Sequence, residues 1–402
     1  MALALIMVGL PARGKTYTAR KVAHYLGWLG HRTKVFNVGN IRRKLSGSFV
    51  PHEFFDPQNK DGVAARRKAA EQALEELLSW FKEGGEVAIF DATNSTKIRR
   101  KWICAVLHNH GHECAFIESV CEDEKVINEN IRKTKLSSPD YVGIPPEEAT
   151  KDFQSRIAHY ISAYETLDEE QAPWIKIIDA GRQVLFNNLR GPLLMKLGHF
   201  LMHLTLHTPP IWLSRHGQSI FNTQHRVGGD SALSPNGRFY AESLSNFMQE
   251  QEIPVVWTST LQRTIQTASR LGRPITQWKI LDEIHAGICD GLTYTQIDNQ
   301  YPEIAKGRAE DKLRFRYPQG ESYEDIIKRV APIILAIEHR VEPVLLIAHQ
   351  AILRVIYGYF LERKRATVPH LSIPLHTLIH LKPSTYGCEE MRFALPPHIG
   401  LE

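Results

Sequence analysis

The stretch "ALIMVGLPARGKTY", Ala4–Tyr17, decides the fold of the first half of this chain. An apolar run stops at Gly9, and G-x-x-x-x-G-K-[ST] follows, filled by Gly9, Gly14, Lys15 and Thr16 with Leu10, Pro11, Ala12 and Arg13 between them. In such a loop, between a strand and a helix, backbone N–H groups point inward around a phosphate. Lys15 then reaches the outer phosphates and the Thr16 hydroxyl can ligate Mg²⁺. A metal carboxylate is also needed. Asp91 supplies it at the end of the apolar run in "AIFDATN", unless it serves only as a turn residue or helix N-cap.

Working outward, "ALALIMV" (2–8), "TKVFNV" (33–38), "EVAIFD" (86–91), "CAFIESV" (114–120) and "WIKIID" (174–179) read as short buried strands. Helical stretches separate them, among them 62–82 with Ala69, Ala73, Leu74, Leu77, Leu78 and Phe81 at helical spacing. Alternating strand and helix predict an α/β domain with a parallel sheet covered on both faces. "PIWLS" (210–214), "PVVWT" (254–258), "PVLLIA" (343–348) and "HTLIHL" (376–381) repeat the pattern and predict a second α/β domain. The boundaries read as 1–182 for the first domain, 183–209 for a connecting helical segment, and 210–402 for the second.

The second half carries "LSRHGQS", Leu213–Ser219. Arg215-His216-Gly217 follows a strand, where loops at the carboxyl end carry chemistry. A neutral imidazole is a competent nucleophile toward phosphorus, and an adjacent guanidinium can pair with phosphoryl oxygens. His349 in "IAHQAILR" also follows an apolar strand; Arg263 in "QRTIQT" adds a cation, and Glu283 in "LDEIHAG" is a candidate acid. Among 19 histidines most must be surface or satisfied core residues, so it is the recurrence of context that selects these. In the first half Arg42, Arg66, Arg99, Lys135 and Arg156 each follow a strand or sit on the next helix, able to meet phosphate or simply to face solvent. "SSPDY", Ser137–Tyr141, reads as a turn.

Composition narrows the class. The chain has 402 residues, 43% hydrophobic and 23% charged, as expected of globular protein with two cores. Its formal charge of +5 is mild and its basic runs are short and scattered, which suits small phosphorylated ligands better than nucleic acid. Cys104, Cys114, Cys121, Cys289 and Cys388 show no C-x-x-C spacing and read as reduced thiols without structural zinc. "MALALIMVGL" lacks the basic region of a signal peptide, and the longest uncharged run, 197–214, is broken by histidines and prolines, so no membrane span is expected.

Taken in order, "GLPARGKTY", "KVFNVG", "FDATN", "IESVC", "SSPDY", "RHGQS", "RVGGD", "TIQTA", "RYPQGESYED" and "AHQAILR" resemble the bifunctional 6-phosphofructo-2-kinase/fructose-2,6-bisphosphatase family over nearly the whole chain. The resemblance implies a P-loop nucleotide-kinase-like domain followed by a histidine phosphatase domain like that of phosphoglycerate mutase. It further implies ATP with Mg²⁺ in the first, no cofactor in the second, and fructose 6-phosphate and fructose 2,6-bisphosphate as substrates. A cytoplasmic homodimer that binds neither nucleic acid nor membrane and sets a signal for glycolysis or gluconeogenesis is implied as well. Polynucleotide kinase-phosphatase and a non-catalytic nucleotide-gated binding protein are the competing readings.

Position by position, the resemblance implies that Gly9–Tyr17, with Asn130 and Lys135, hold ATP, and that Asp91 and Cys121 belong to the same site. A buried apolar cysteine is the other reading of Cys121. Arg42, Arg66, Thr93, Arg99, Lys135, Arg156 and Tyr160 match sugar-phosphate contacts. In the second half His216 becomes the nucleophile, Glu283 the acid, and Arg215, Asn222, Arg263 and His349 the holders of the transferring phosphoryl group. Gly228, Tyr294, Arg308, Lys312, Tyr323, Gln350 and Arg354 match contacts to the rest of the sugar. Two departures stand out: "EIHAG" places His285 where the family has aspartate, and "CDGLT" differs from the more acidic vertebrate pattern. Family members commonly carry regulatory extensions at both ends that this sequence lacks, so the usual phosphorylation control is not assumed.

Overall fold

The computed structural model describes residues 2–132, 138–205, 208–384 and 387–395. The chain divides into two compact units, Met1–Leu204 and Thr205–Glu402.

In the first unit a six-stranded sheet runs β2-β3-β1-β4-β5-β6. Its strands are β1 (Leu3–Val8), β2 (Thr33–Asn37), β3 (Val87–Asp91), β4 (Glu113–Val120), β5 (Trp174–Ile178) and β6 (Gln183–Asn187). The strands β1 to β5 pair in parallel, and β1 and β3 are buried along their whole length. This is why they read as unbroken apolar runs rather than alternating ones. The helices are α1 (Lys15–Leu29), α2 (Val38–Ser46), α3 (Lys60–Lys82), α4 (Lys97–Asn109), α5 (Glu124–Asn130), α6 (Pro146–Ile161) and α7 (Pro192–His203). Asn59 caps α3 by accepting from the Gly62 N–H at 2.8 Å. Its Ala69, Ala73, Leu74, Leu77 and Phe81 then pack with Ala4, Ile6, Val8, Ala88 and Phe90 of the sheet.

The segment 183–209, expected as a helical connection, opens on a strand, and among its described residues 192–203 are helical. The chain turns back through Asp179, Ala180 and Gly181, all at positive φ, and β6 pairs antiparallel to β5. The sheet is therefore mixed at this edge. Helix α7 also stays with the first unit, where Phe200 stacks on Tyr25 with ring centres 4.2 Å apart. Sequence spacing conceals this because "QVLFN" is largely exposed and carries no buried run.

The expectation of reduced cysteines is likewise corrected for one pair. Cys104 on α4 and Cys114 on β4 are joined as a disulfide, with Cα atoms 6.2 Å apart. The short turn between these elements brings together positions that no C-x-x-C spacing announces.

The second unit holds a sheet of order β12-β11-β7-β10-β8-β9. These strands are β7 (Ile211–Arg215), β8 (Val255–Thr258), β9 (Ile275–Gln277), β10 (Val344–Ala348), β11 (Thr377–Ser384) and β12 (Gly387–Ala394). The first four are parallel, whereas β11 runs antiparallel to β7 and β12 antiparallel to β11. Neither β9, three exposed residues, nor β12, half exposed and with no buried residue, offered a buried run to find. Around the sheet lie α8 (Ile220–Thr223), α9 (Pro235–Gln249), α10 (Gln262–Ala268), α11 (Tyr294–Gln300), α12 (Pro302–Glu310), α13 (Tyr323–Glu338) and α14 (Gln350–Phe360). Among the described residues, no helix is long and apolar enough to cross a membrane.

Candidate active sites

In the first unit the loop from Gly9 to Gly14 leaves the carboxyl end of β1. Gly9 has φ +137°, and a Cβ there would collide with the Ser119 carbonyl; Gly14, at φ +85°, opens α1. Only glycine fills both conformations without strain. The Gly9 N–H donates to the Thr93 carbonyl at 3.0 Å, Asn130 Nδ2 to the Ala12 carbonyl at 3.1 Å, and the Ser119 hydroxyl to the Arg13 carbonyl. Lys15 is buried and its Nζ donates to the Leu10 carbonyl at 2.6 Å, so the ammonium lies folded over the loop. Asp91 ends β3 beside β1, 2% exposed, and accepts from Asn37 Nδ2 at 2.6 Å. Leu10, Arg13, Ser119, Cys121, Ile127 and Tyr164 help line a cavity of about 560 Å³ next to this loop. Burial pushes the Cys121 thiol above its ordinary value, an inert rather than a reactive state.

Arg42, Arg66 and Arg156 gather around the buried ring of Phe55, at 5.7, 5.9 and 3.6 Å from its centre, and Tyr160 joins at 5.9 Å ring to ring. Arg42 NH2 donates to both oxygens of Asp140 at 2.8 Å, and Arg43 and Arg156 reach the same carboxylate at 3.1 and 3.4 Å. Burial alone would raise Asp140, but the hydrogen bonds and charges of these guanidiniums hold it below the usual carboxylate range. Arg99 Nε donates to Asn94 Oδ1 at 3.0 Å. Burial lowers Arg99 to about 10, with Tyr160 opposing and Arg67 and Arg66 adding to the shift. So the structure does bring together Arg42, Arg66, Arg99, Arg156 and Tyr160, while Lys135 lies outside the described residues. Phe55 and Asp140 were missed by sequence reasoning. "SSPDY" looked like a turn, and only its aspartate hinted at a partner for the arginines.

In the second unit β7 and β10 pair with Arg215 opposite Ala348, so His216 and His349 leave adjacent strand ends. His216 is 3% exposed; its Nδ1 lies 2.7 Å from the Gly217 carbonyl. A carbonyl only accepts, so the proton sits on Nδ1 and Nε2 keeps its lone pair. Burial, reinforced by Arg263 and Arg215, keeps this imidazole neutral well below the ordinary histidine range. His349 is fully buried with Nε2 2.8 Å from the Ser259 hydroxyl; among the described residues its Nδ1 has no hydrogen-bond partner, nor has Arg215 Nε. Arg215 NH1 donates to the Ile373 carbonyl at 3.1 Å and Arg263 NH1 to that of Gly229 at 2.7 Å. Burial lowers Arg215 to about 10, and Glu283 opposes the shift.

Glu283 Oε1 accepts from the Ile284 and Ala351 N–H groups at 3.0 and 3.3 Å, which seats it at the amino end of α14 beside Gln350. Asn222 closes a capping box with Ser219. At Gly228, φ +69°, a Cβ would strike the Asp290 carboxylate. Tyr294 meets Arg308 at 3.4 Å, Tyr323 meets Arg354 at 3.1 Å, and Lys312 donates to the Pro369 carbonyl at 3.1 Å. Burial, then Arg308 and Arg354, lower Lys312 to about 8, which places these three cations in one cluster. His285 is exposed, with Nδ1 3.1 Å from the Gln319 carbonyl rather than on Glu283. Sequence reasoning missed Ser259, Thr267, whose hydroxyl accepts the Gly217 N–H at 2.9 Å, and His376, whose Nε2 accepts the Gln218 N–H at 3.3 Å.

The pattern of the 6-phosphofructo-2-kinase family matches residues 1–208, and that of the histidine phosphatase superfamily, branch 1, matches 211–395. A 6-phosphofructo-2-kinase/fructose-2,6-bisphosphatase of Gallus gallus is 45% identical over 96% of this chain and 83% of its own length. The chain belongs to this bifunctional family. It is a two-domain enzyme, a kinase followed by a histidine phosphatase, and the resemblance drawn from its motifs holds. Isoform 4 of Homo sapiens is 44% identical over the same shares of both chains, and the Arabidopsis thaliana relative is 44% identical over 98% of this chain and 54% of its own. Among solved structures, the alpha-ribazole phosphatase of Shigella flexneri matches 48% of this chain and 99% of its own at 19% identity and a TM-score of 0.43.

Proposed function

We propose that the first unit moves the γ-phosphoryl group of ATP onto the C2 hydroxyl of fructose 6-phosphate, and that the second removes it again as inorganic phosphate. One observation carries the reading: an intact phosphate loop shares a chain with a buried, neutral imidazole whose Nδ1 is tied down beside Arg215 and Arg263.

In the kinase half Gly9–Tyr17 wraps the nucleotide phosphates, with Asn130 bracing the loop through Ala12. Lys15 swings from the Leu10 carbonyl to the β- and γ-phosphates. Thr16 and Asp91 offer the hard oxygen donors that suit Mg²⁺, and a bound Mg²⁺ neutralises phosphate charge. Arg42, Arg66, Arg99 and Arg156, with Thr93, Tyr160 and Lys135, hold the sugar phosphate and the charge that develops during transfer. A loose phosphoryl transition state asks little of a general base.

In the phosphatase half Nε2 of His216 attacks the C2 phosphorus in line, and the bond to the sugar oxygen breaks. Glu283 gives that oxygen a proton, then takes one from the water that hydrolyses the phosphohistidine. Among the described residues, the buried Arg215 Nε and His349 Nδ1 have no partner, and with Nδ1 protonated both are donors that a phosphoryl oxygen would complete. Arg263 and Asn222 complete the phosphoryl site, while Gly228, Tyr294, Arg308, Lys312, Tyr323, Gln350 and Arg354 receive the rest of the sugar. The pair of reactions would set the level of a signal metabolite for glycolysis or gluconeogenesis.

Incubation with labelled ATP and fructose 6-phosphate tests the reading. A sugar labelled at C2, and its loss once ATP is exhausted, is the expected result. Labelled nucleic acid, or no transfer at all, would sink it.

A further inference from the structure

The phosphate loop leaves the carboxyl end of β1, but a cavity of about 500 Å³ opens at the other end of the same sheet, where Leu3 begins β1 and Glu113 begins β4. Nothing in the kinase chemistry uses it. Its wall contains Cys104, Cys114 and His108. The cysteines are joined, Cys114 is buried at 6% exposure, and Cys104 is half-buried. His108, one turn beyond Cys104 on α4, is exposed and sets Nε2 3.8 Å from Cys114 Sγ.

The link is a poor staple. The turn between α4 and β4 is already closed by backbone bonds from His110 and His112 to the Leu107 carbonyl and from Gly111 to that of His108. Ile103, Leu107 and Phe116 bury both elements in one core. The sulfur bond is therefore only one of several links that hold α4 to β4.

We propose that Cys104 and Cys114 form a dithiol–disulfide exchange site that serves small thiols through this cavity. A thiolate of a small dithiol attacks the accessible Sγ of Cys104. The Sγ–Sγ bond breaks, and Cys114 leaves as a thiolate that takes up a proton from water relayed through the His108 ring, whose Nε2 lies 3.8 Å away. The second thiol of the reagent then attacks its own sulfur in the mixed disulfide, releases Cys104 and passes its proton to that sulfur. The cysteine pair gains two electrons and the reagent becomes a cyclic disulfide; the proton shed to water by the first thiol balances the one that Cys114 takes up.

The full chain, oxidised with glutathione disulfide and then exposed to dithiothreitol without denaturant, tests this by timed alkylation and peptide mass mapping. Cys104 and Cys114 should become alkylated together while the circular dichroism stays unchanged, and His108→Ala should slow the exchange several-fold. Cys114→Ser should take up one glutathione at Cys104, whereas Cys104→Ser should take up none at Cys114. A pair that yields only after denaturant, no linked peptide after oxidation, uptake at Cys114 instead of Cys104, or a His108→Ala rate equal to wild type would overturn the assignment.

Discussion

The rings of His216 and His349 lie 5.1 Å apart, centre to centre, at the ends of two strands that pair in register. One ring is tied to a carbonyl, the other to a hydroxyl, and both are buried beside Arg215 and Arg263. Burial beside these cations keeps both rings neutral, and in the proposed mechanism His216 serves as nucleophile while His349 turns its Nδ1 edge to the phosphoryl group.

Replacing the proposed nucleophile should separate the two activities. His216→Ala should lower phosphatase turnover by about 10³-fold or more while kinase turnover stays at wild type. Loss of both activities together would show that the halves do not work independently.

Ser259 holds His349 at 2.8 Å, and Thr264 and the Leu261 N–H hold Ser259 in turn. Ser259→Ala frees the ring and leaves a buried nitrogen without its partner, at a cost of about 1–3 kcal/mol. Phosphatase kcat should fall roughly tenfold or more on the same scale, with KM less affected. Unchanged kcat would remove Ser259 from the phosphoryl site.

Asp140 organises Arg42, Arg43 and Arg156. Asp140→Asn leaves the buried Arg42 and the half-buried Arg43 and Arg156 uncompensated, and the first unit should lose about 3 kcal/mol in denaturant unfolding. KM for fructose 6-phosphate should rise while KM for ATP stays constant. A rise in both would mean that the variant loosens the whole unit rather than the sugar site.

Acid should weaken the second unit. The folded pKa values of His216 and His349 lie well below the ordinary value of about 6.5, so below that pH the unfolded chain binds more protons than the native one. Stability is intact above about pH 6.5 and falls as pH drops toward the folded values, by up to about 1.4 kcal/mol per pH unit for each ring. Denaturant melts of the second unit between neutral and mildly acidic pH should show this slope, and His349→Gln should reduce it. A slope that survives the substitution would place the proton uptake elsewhere.

Much of this was readable in the chain. The runs "ALALIMV", "EVAIFD" and "PVLLIA" are buried on both sheet faces, so hydrophobicity alone reveals them. Gly9 and Gly14 are legible because their backbone angles exclude other residues. β6, β9 and β12 were not, because exposed strands at or near a sheet edge need no apolar run. Asp140, Phe55, Ser259 and His376 act through partners far away along the chain, and no local pattern marks such a pairing.

The sequence by itself determined two α/β halves, a phosphate loop in the first and an R-H-G turn in the second, because strand burial, glycine conformations and residue chemistry are local properties. Tertiary structure alone decided which cations share a carboxylate, which proton His216 keeps, that residues 183–187 become a sixth strand, and that Cys104 meets Cys114. Those outcomes depend on distances across folded elements, and on the desolvation that only burial imposes.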